Sequence, residues 1–429
     1  MNATASIITA RANEESSPTA LSFTERFCRN AVFEAFTHMY AGHLEVTLPD
    51  GSVRSFGKET QDSPARIHVI REQFFARCVK SGDIGFGEAF VDGDWDTDDI
   101  AKVISWFLLN VESSPTVSGS KKSSWKLNLL RLANRLGHML RRNSRDGSRE
   151  NIHEHYDLGN KFYGLWLDQT MSYSSAIFES PEQSMEDAQF AKYDSLCQQL
   201  NLQPGTHILE IGCGWGGFAE HAVRQYGAKV TAVTISQEQF EFAKRRFVQA
   251  GIADRIDLQL CDYRDIKGTY DRIVSIEMLE AVGEEFYDDF FRKCHSLLKP
   301  DGLIGLQYIT CPDSRFADLK RGVDWIQKHI FPGSLLPSIS RVADALNRTG
   351  DLFLHNLRDI GNSYARTLQL WRQEFNDQLD AVKTLGFDDE FIRKWNYYLA
   401  YCEAAFAMRN ISVVQAVYTR PNNRTLFAK

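Results

Sequence analysis

The feature that most constrains this chain is a short junction. The strand-like run Thr206-His-Ile-Leu-Glu-Ile passes through Gly212-Cys-Gly-Trp-Gly-Gly and opens the helical pattern Phe218–Tyr226. Gly212, Gly214 and Gly217 fit G-x-G-x-x-G. Glycine at these places removes Cβ where the chain turns tightly and lets a ligand approach the backbone at a helix N-terminus. Four more strand candidates follow: Lys229-Val-Thr-Ala-Val-Thr, Ile256-Asp-Leu-Gln-Leu, Tyr270-Asp-Arg-Ile-Val-Ser and Gly302-Leu-Ile-Gly-Leu-Gln. Helical stretches at Gln237–Ala250 and Glu284–Leu298 separate them. Short apolar strands alternating with helices predict an α/β domain whose parallel sheet is wound on both faces. Beyond Pro312 the pattern reads as mostly helical, with a helical hairpin over 374–404 broken at Gly386.

The glycine loop alone fits a dinucleotide as well as other adenosine-bearing ligands. A dinucleotide site wants an acid about 20 residues on, for the ribose hydroxyls. Here the second strand ends in Val233-Thr-Ile-Ser with no acid, while Glu210 sits immediately before the glycines. A carboxylate there suits a cationic amino-acid moiety, which points to S-adenosylmethionine before NAD. Cys213, inside the loop, reads as a small packing residue rather than a nucleophile.

A length of 429 residues reads as roughly two to three domains. With 28 Phe, 15 Tyr and 8 Trp the chain is too aromatic to be disordered over most of its length. A net charge of −7 argues against a dedicated nucleic-acid binder. The eight cysteines form no C-x-x-C pair, and His153 and His155 lack a third ligand at metal spacing, so no metal is expected. No run of apolar residues is long enough to span a bilayer, and the start lacks a secretory pattern. Residues 1–20 read as a flexible leader and 21–112 as a small N-terminal domain. Within it, His43-Leu-Glu-Val-Thr-Leu before Pro49-Asp-Gly-Ser predicts a hairpin; Gly82–Asp96, with four glycines, reads as loop-rich before a helix at 97–111. Residues 113–150 read as a linker and a basic amphipathic helix, followed by the α/β domain at 151–429. Trp125, Leu129, Leu132, Leu136 and Leu140 fall at helical spacing, and Lys121–Arg149 holds nine Lys/Arg against one Asp. Such a helix either lies on an anionic membrane or packs on its own domain with a solvated basic face.

Longer motifs then narrow the reading. His155-Tyr-Asp-Leu-Gly-Asn-Lys-Phe-Tyr, Met171-Ser-Tyr-Ser-Ser-Ala-Ile-Phe, Leu209-Glu-Ile-Gly-Cys-Gly-Trp-Gly-Gly, Val233-Thr-Ile-Ser-Gln-Glu-Gln, Asp262-Tyr-Arg-Asp, Phe331-Pro-Gly and Tyr364-Ala-Arg-Thr-Leu resemble, in order and spacing, the cyclopropane-fatty-acyl-phospholipid synthase family. The likeness covers about two-thirds of the chain, from Asn151 onward. It implies a Rossmann-like class I methyltransferase domain with helical additions, beside a smaller N-terminal α+β domain. It implies methyl transfer from S-adenosylmethionine to a cis double bond of a phospholipid acyl chain, by a cytoplasmic enzyme held peripherally on the inner face of an anionic membrane, and leaves a homodimer open. Tyr173 and Ser174 are then expected at the donor's methionine part, with Glu210, Gly212 and Gly214 as the main loop. Thr234, Ser236 and Gln239 are expected at the ribose, and Asp262 and Tyr263 at the adenine.

An alkene is a weak nucleophile, so the sulfonium must drive the reaction, and ring closure then needs a base beside the new methyl group. The resemblance implies bicarbonate as that base, in a pocket whose Glu280, Ile309 and Tyr364 match the family. Ser175 stands where a Cys is expected and Gln307 where a His is expected. Both can still donate hydrogen bonds to an anion. The departures bear on ring closure rather than methyl transfer. The rivals kept open are methylation without closure, a soluble-substrate methyltransferase, and a non-catalytic lipid-binding protein.

Overall fold

The structure is a computed structural model that describes residues 21–59, 61–111 and 158–426. The leader at 1–20 and the linker with its basic helix at 113–150 lie outside the described residues.

The first half-sheet forms where expected. β1 (His43–Thr47) and β2 (Val53–Gly57) pair antiparallel about the Pro49-Asp-Gly turn, and β1 continues parallel to β3 (Ala65–Val69), which meets the short β4 (Trp95–Asp96). The stretch Gly82–Asp96 corrects the sequence reading. It is mostly helix, the second half of Gln73–Val91, kinked at Gly82 with φ of 58°. Its glycines serve close packing: a Cβ on Gly85 would stand 2.2 Å from the Arg77 carbonyl oxygen, and one on Gly87 2.5 Å from the Trp325 ring.

The main sheet has seven strands in the order β10-β11-β9-β8-β5-β6-β7. β5 (His207–Ile211), β6 (Lys229–Thr234), β7 (Ile256–Leu260), β8 (Tyr270–Ile276) and β9 (Leu298–Thr310) run parallel, as the strand pattern predicts. The last two, β10 (Phe353–Asp359) and β11 (Ser412–Thr419), were hidden in the region read as helical. β11 inserts antiparallel against β9, and β10 pairs antiparallel with it at the edge. The Phe353–Asp359 strand has no buried residue, so it lacks the alternation that marks a strand. Gly386, with φ of 97°, separates the helix Leu379–Thr384 from the helix Asp389–Ala407.

The helix Asp389–Ala407 packs on the N-terminal helices Ile100–Leu109 and Gln73–Val91. One apolar core therefore runs from Phe36, Phe74 and Trp95 through Tyr397 to Trp371 and Trp166. Arg393 crosses this seam. It donates to the Phe90 carbonyl at 2.7 Å and the Trp95 carbonyl at 3.0 Å, with its guanidinium 4.1 Å from the Phe90 ring centre. Among the described residues no helix is long and apolar enough to cross a membrane.

Candidate functional site

β5 and β8 are neighbours at the middle of the sheet, with later strands added on opposite sides of them. Such a switch in strand order opens a crevice at the carboxyl ends, where α/β sheets take their ligands. Glu210 lies near the end of β5, and the loop that follows β8 begins with Glu277. A cavity of 680 Å³ fills the crevice.

The glycine loop forms one wall. Gly212 and Gly214 have φ of 79° and 53°, and a Cβ on Gly214 would meet nothing within 4 Å. Gly217 lies so close under its neighbours that a Cβ would stand 2.6 Å from the Tyr193 hydroxyl and 2.8 Å from the Thr170 carbonyl oxygen. Glu210 is 3% exposed and its Oε2 has no hydrogen-bond partner. Burial pushes its carboxyl up to about 8, against the pull of the Lys192 ammonium. Lys192 is fully buried and donates to Ser174 Oγ at 2.8 Å; burial brings it down to about 8. Tyr173 shares a 2.7 Å hydroxyl contact with Tyr398, and both line the cavity.

Thr234 and Gln239 also line it, joined by a 2.8 Å bond. Ser236 does not reach the wall; its hydroxyl caps the helix Gln237–Gln249 by accepting from the Gln239 N–H at 3.3 Å. Asp262 and Tyr263 stand at the far side of the loop. The Asp262 carboxylate accepts three bonds from Arg264, at 2.9, 2.8 and 2.6 Å, and the Tyr263 ring meets Phe290 edge-on at 5.4 Å.

The expected base pocket is present but differently filled. Glu277, which sequence reasoning passed over, carries φ of 50°, a conformation few non-glycine residues adopt. Its own N–H is tied to the Gln307 carbonyl at 2.7 Å. Its Oε1 accepts from the Ser175 N–H at 2.9 Å and Gln307 Nε2 at 2.8 Å, and its Oε2 from the Tyr364 hydroxyl at 2.7 Å. Ser175 and Gln307 thus stand behind Glu277 and do not line the cavity, whereas Glu277, Glu280, Ile309 and Tyr364 do. The Ser175 hydroxyl turns to the Ala176 carbonyl, and the Gln307 side-chain oxygen accepts from Gln415 at 3.0 Å. Glu280 accepts from the Ile309 N–H, and its Oε2 has no partner. Burial and the neighbouring Glu277 push Glu280 up to about 8. Burial also raises Glu277, opposed by its bonds to Gln307, Ser175 and Tyr364 and by Lys192. The signal in the sequence was a second acid in Ile276-Glu-Met-Leu-Glu; nothing there announced its backbone angle or its three donors.

Beyond this pocket the cavity turns apolar. Phe331, Tyr398 and Phe406 line it, and its far wall comes from the N-terminal part: Phe27, Ala31, Phe107 and Leu108. Phe27 is 60% exposed and Phe23, on the same helix, 81%.

S-adenosylmethionine fits these residues. An orphaned buried carboxylate suits its ammonium, the Cβ-free loop gives it room, and the volume is that of a small-molecule site. Cys213 is buried and its thiol is pushed well up by that burial, as a packing residue would be.

Comparison with known proteins identifies the family. The family model described as mycolic acid cyclopropane synthetase matches residues 143–416. A tuberculostearic acid methyltransferase of Mycobacterium tuberculosis is 35% identical over 391 residues, covering 87% of this chain and 88% of that protein. A cyclopropane-fatty-acyl-phospholipid synthase of Escherichia coli is 33% identical over 402 residues, covering 88% of this chain and 96% of that protein. Among solved structures, the cyclopropane synthase MmaA2 from Mycobacterium tuberculosis superposes with a TM-score of 0.59 at 32% identity, over 63% of this chain and 98% of that one. A mycolic acid cyclopropane synthase complexed with SAH and CTAB gives the same TM-score at 31% identity, over 63% of this chain and 98% of that one. This chain therefore belongs to the mycolic acid cyclopropane synthetase family and is an S-adenosylmethionine-dependent methyltransferase.

Proposed function

We propose that the enzyme methylates the cis double bond of an unsaturated phospholipid acyl chain at a membrane surface and closes a cyclopropane ring. The observation that carries this reading is one cavity lined both by Glu210, Glu277 and Glu280 and, as an apolar channel, by Phe331, Phe406, Phe107 and the exposed Phe27. A lipid chain entering by that channel would bring its double bond to the carboxylates.

When bound, S-adenosylmethionine supplies an electrophilic methyl group on a sulfonium. Glu210 would hold its ammonium, with Tyr173 and Ser174 beside the methionine part, Gly212 and Gly214 giving the backbone approach, Thr234 and Gln239 at the ribose, and Asp262 and Tyr263 at the adenine. Ser236 would act through the helix it caps. The apolar walls exclude water and align the alkene with the methyl group. The faces of Phe331, Tyr398 and Phe406 would stabilise positive charge as it develops on the chain. Ring closure requires a base beside the transferred methyl group, and Glu277 and Glu280 line the same cavity.

Two features support a membrane surface: Phe23 and Phe27 stand exposed on one helix, and the basic segment 121–149 carries Trp125 with its leucines. Replacing Arg131, Arg135, Arg141 and Arg142 by Glu is expected to abolish binding to anionic vesicles; unchanged binding refutes that part of the reading.

A second reading is methylation without closure, favoured by the departures at Ser175 and Gln307. The two separate in one experiment: purified enzyme, donor carrying a CD3 group, and liposomes of cis-monounsaturated phospholipid, with mass spectrometry of the released fatty acids. Two deuteriums retained and the unsaturation lost means a closed ring. Unsaturation retained means the cation collapsed otherwise, with three deuteriums if the proton left the chain and two if it left the methyl group as an exocyclic methylene. No mass gain on any lipid defeats the proposal.

A further inference from the structure

The bicarbonate implied by the sequence resemblance does not fit this pocket. Three of the donors it would need, the Ser175 N–H, Gln307 Nε2 and the Tyr364 hydroxyl, already converge on Glu277, and the Ile309 N–H is given to Glu280. A further anion would meet two carboxylates instead of a set of open donors. We propose that Glu277 is itself the general base: its carboxylate occupies the place of a bound anion and removes the proton whose loss closes the ring.

Three observations carry the assignment. The donors hold the carboxylate at both oxygens, so its position is fixed before substrate arrives. Oε2 takes one of these bonds, from Tyr364, leaving lone-pair capacity on a group that lines the cavity. The backbone at Glu277 is held in the left-handed region that favours glycine, by a bond from its own N–H to the Gln307 carbonyl. Strain of that kind persists where surrounding structure over-determines it, and here what it achieves is to aim one carboxylate into the crevice.

The step balances without another reactant. Methyl transfer breaks the sulfur–carbon bond, forms a carbon–carbon bond and leaves a cationic carbon on the chain. A C–H bond of the transferred methyl group then breaks, its electron pair forms the second ring bond to that carbon, and the proton passes to a Glu277 oxygen. It leaves to solvent once the product has gone.

The assignment rests on the cyclopropane reading above, and the test separates the two. Wild type and Glu277→Gln are assayed with CD3-labelled donor and dioleoylphosphatidylglycerol vesicles in buffer stripped of carbon dioxide, with and without added sodium bicarbonate, and donor affinity is measured by calorimetry. Wild type is expected to form the ring at the same rate in both buffers. Glu277→Gln is expected to lose ring formation by roughly 100-fold or more while its donor affinity stays within about threefold, a change worth only a fraction of a kcal/mol. Glu277→Gly, which suits the backbone angle and vacates the donors, is expected to regain activity when bicarbonate is added. Stimulation of wild type by bicarbonate, or undiminished ring formation by Glu277→Gln, overturns the assignment. The wild-type comparison decides the matter even if a variant fails to fold. A wild type that transfers no methyl group to lipid in either buffer defeats the underlying reading instead.

Discussion

Tyr364→Phe isolates one hydrogen bond at the base. The phenol donates to Glu277 Oε2 at 2.7 Å, while its ring packs 4.4 Å from the Phe406 ring centre and 6.2 Å from that of Trp371. Phenylalanine keeps the packing and removes only the donor. A hydrogen bond to a charged acceptor is worth about 1.5–3 kcal/mol. At 1.36 kcal/mol per pKa unit, its loss raises the Glu277 pKa by about 1–2 units. The sign follows from the charge: the bond favours the carboxylate, the carboxylate is the active form, so weakening it moves loss of activity to higher pH. The acid limb of the kcat profile should therefore shift upward by about 1–2 units, with the rate at the alkaline plateau restored to near that of wild type. The assay is kcat for CD3 incorporation into vesicle lipid over a pH series, at saturating donor. A rate lowered equally at all pH values, with the acid limb unmoved, would refute the idea that Tyr364 works by holding the Glu277 charge.

Glu210→Gln keeps the shape of the glycine-loop wall and removes its charge; donor affinity by calorimetry should fall by about 10- to 150-fold, the weight of one charge-assisted contact. Gly217→Ala forces a methyl group against the Tyr193 hydroxyl and the Thr170 carbonyl; a loss of about 1–3 kcal/mol in urea unfolding is expected, together with weaker donor binding because the loop is displaced. Arg393→Ala removes two bonds to N-terminal carbonyls and the contact with Phe90; it should cost about 2–3 kcal/mol in the same assay while leaving the pH profile of kcat unchanged.

What the sequence disclosed follows from how strongly each element is written in it. The parallel strands are buried on both faces, so they read as apolar runs, and β5 to β8 fall within a residue or two of their expected places. The glycine loop was legible because its backbone angles admit little else. β10 was not, because its seven residues are all exposed and it pairs with one strand alone, β11. The helix through Gly82–Val91 was not, because glycine serves close contact as readily as turning, and Trp325 and Tyr397 stand more than two hundred residues away. Separation along the chain, by 30 to 102 residues, also hid the base. Ser175, Gln307 and Tyr364 were each singled out, yet that all three face Glu277 depends on three separate segments meeting at the end of β8.

That meeting also explains why one pocket holds two acids. Glu277 and Glu280 are both buried, and each disfavours the other's charge. Two such carboxyls divide the work when their surroundings differ. Burial raises Glu277 as well, but its three donors and the influence of Lys192 all favour the anion. Glu280 has only backbone donors and an oxygen without a partner, and it is pushed up to about 8. Burial raises both carboxyls, and what separates them is their partners: three donors meet on Glu277, while one Glu280 oxygen has none. The donors gathered on Glu277 favour its anion, which suits the group from which the proton is to be taken. Glu280→Gln should for this reason be far milder than Glu277→Gln in the same CD3 assay; equal losses would mean that the two carboxyls act as a single unit.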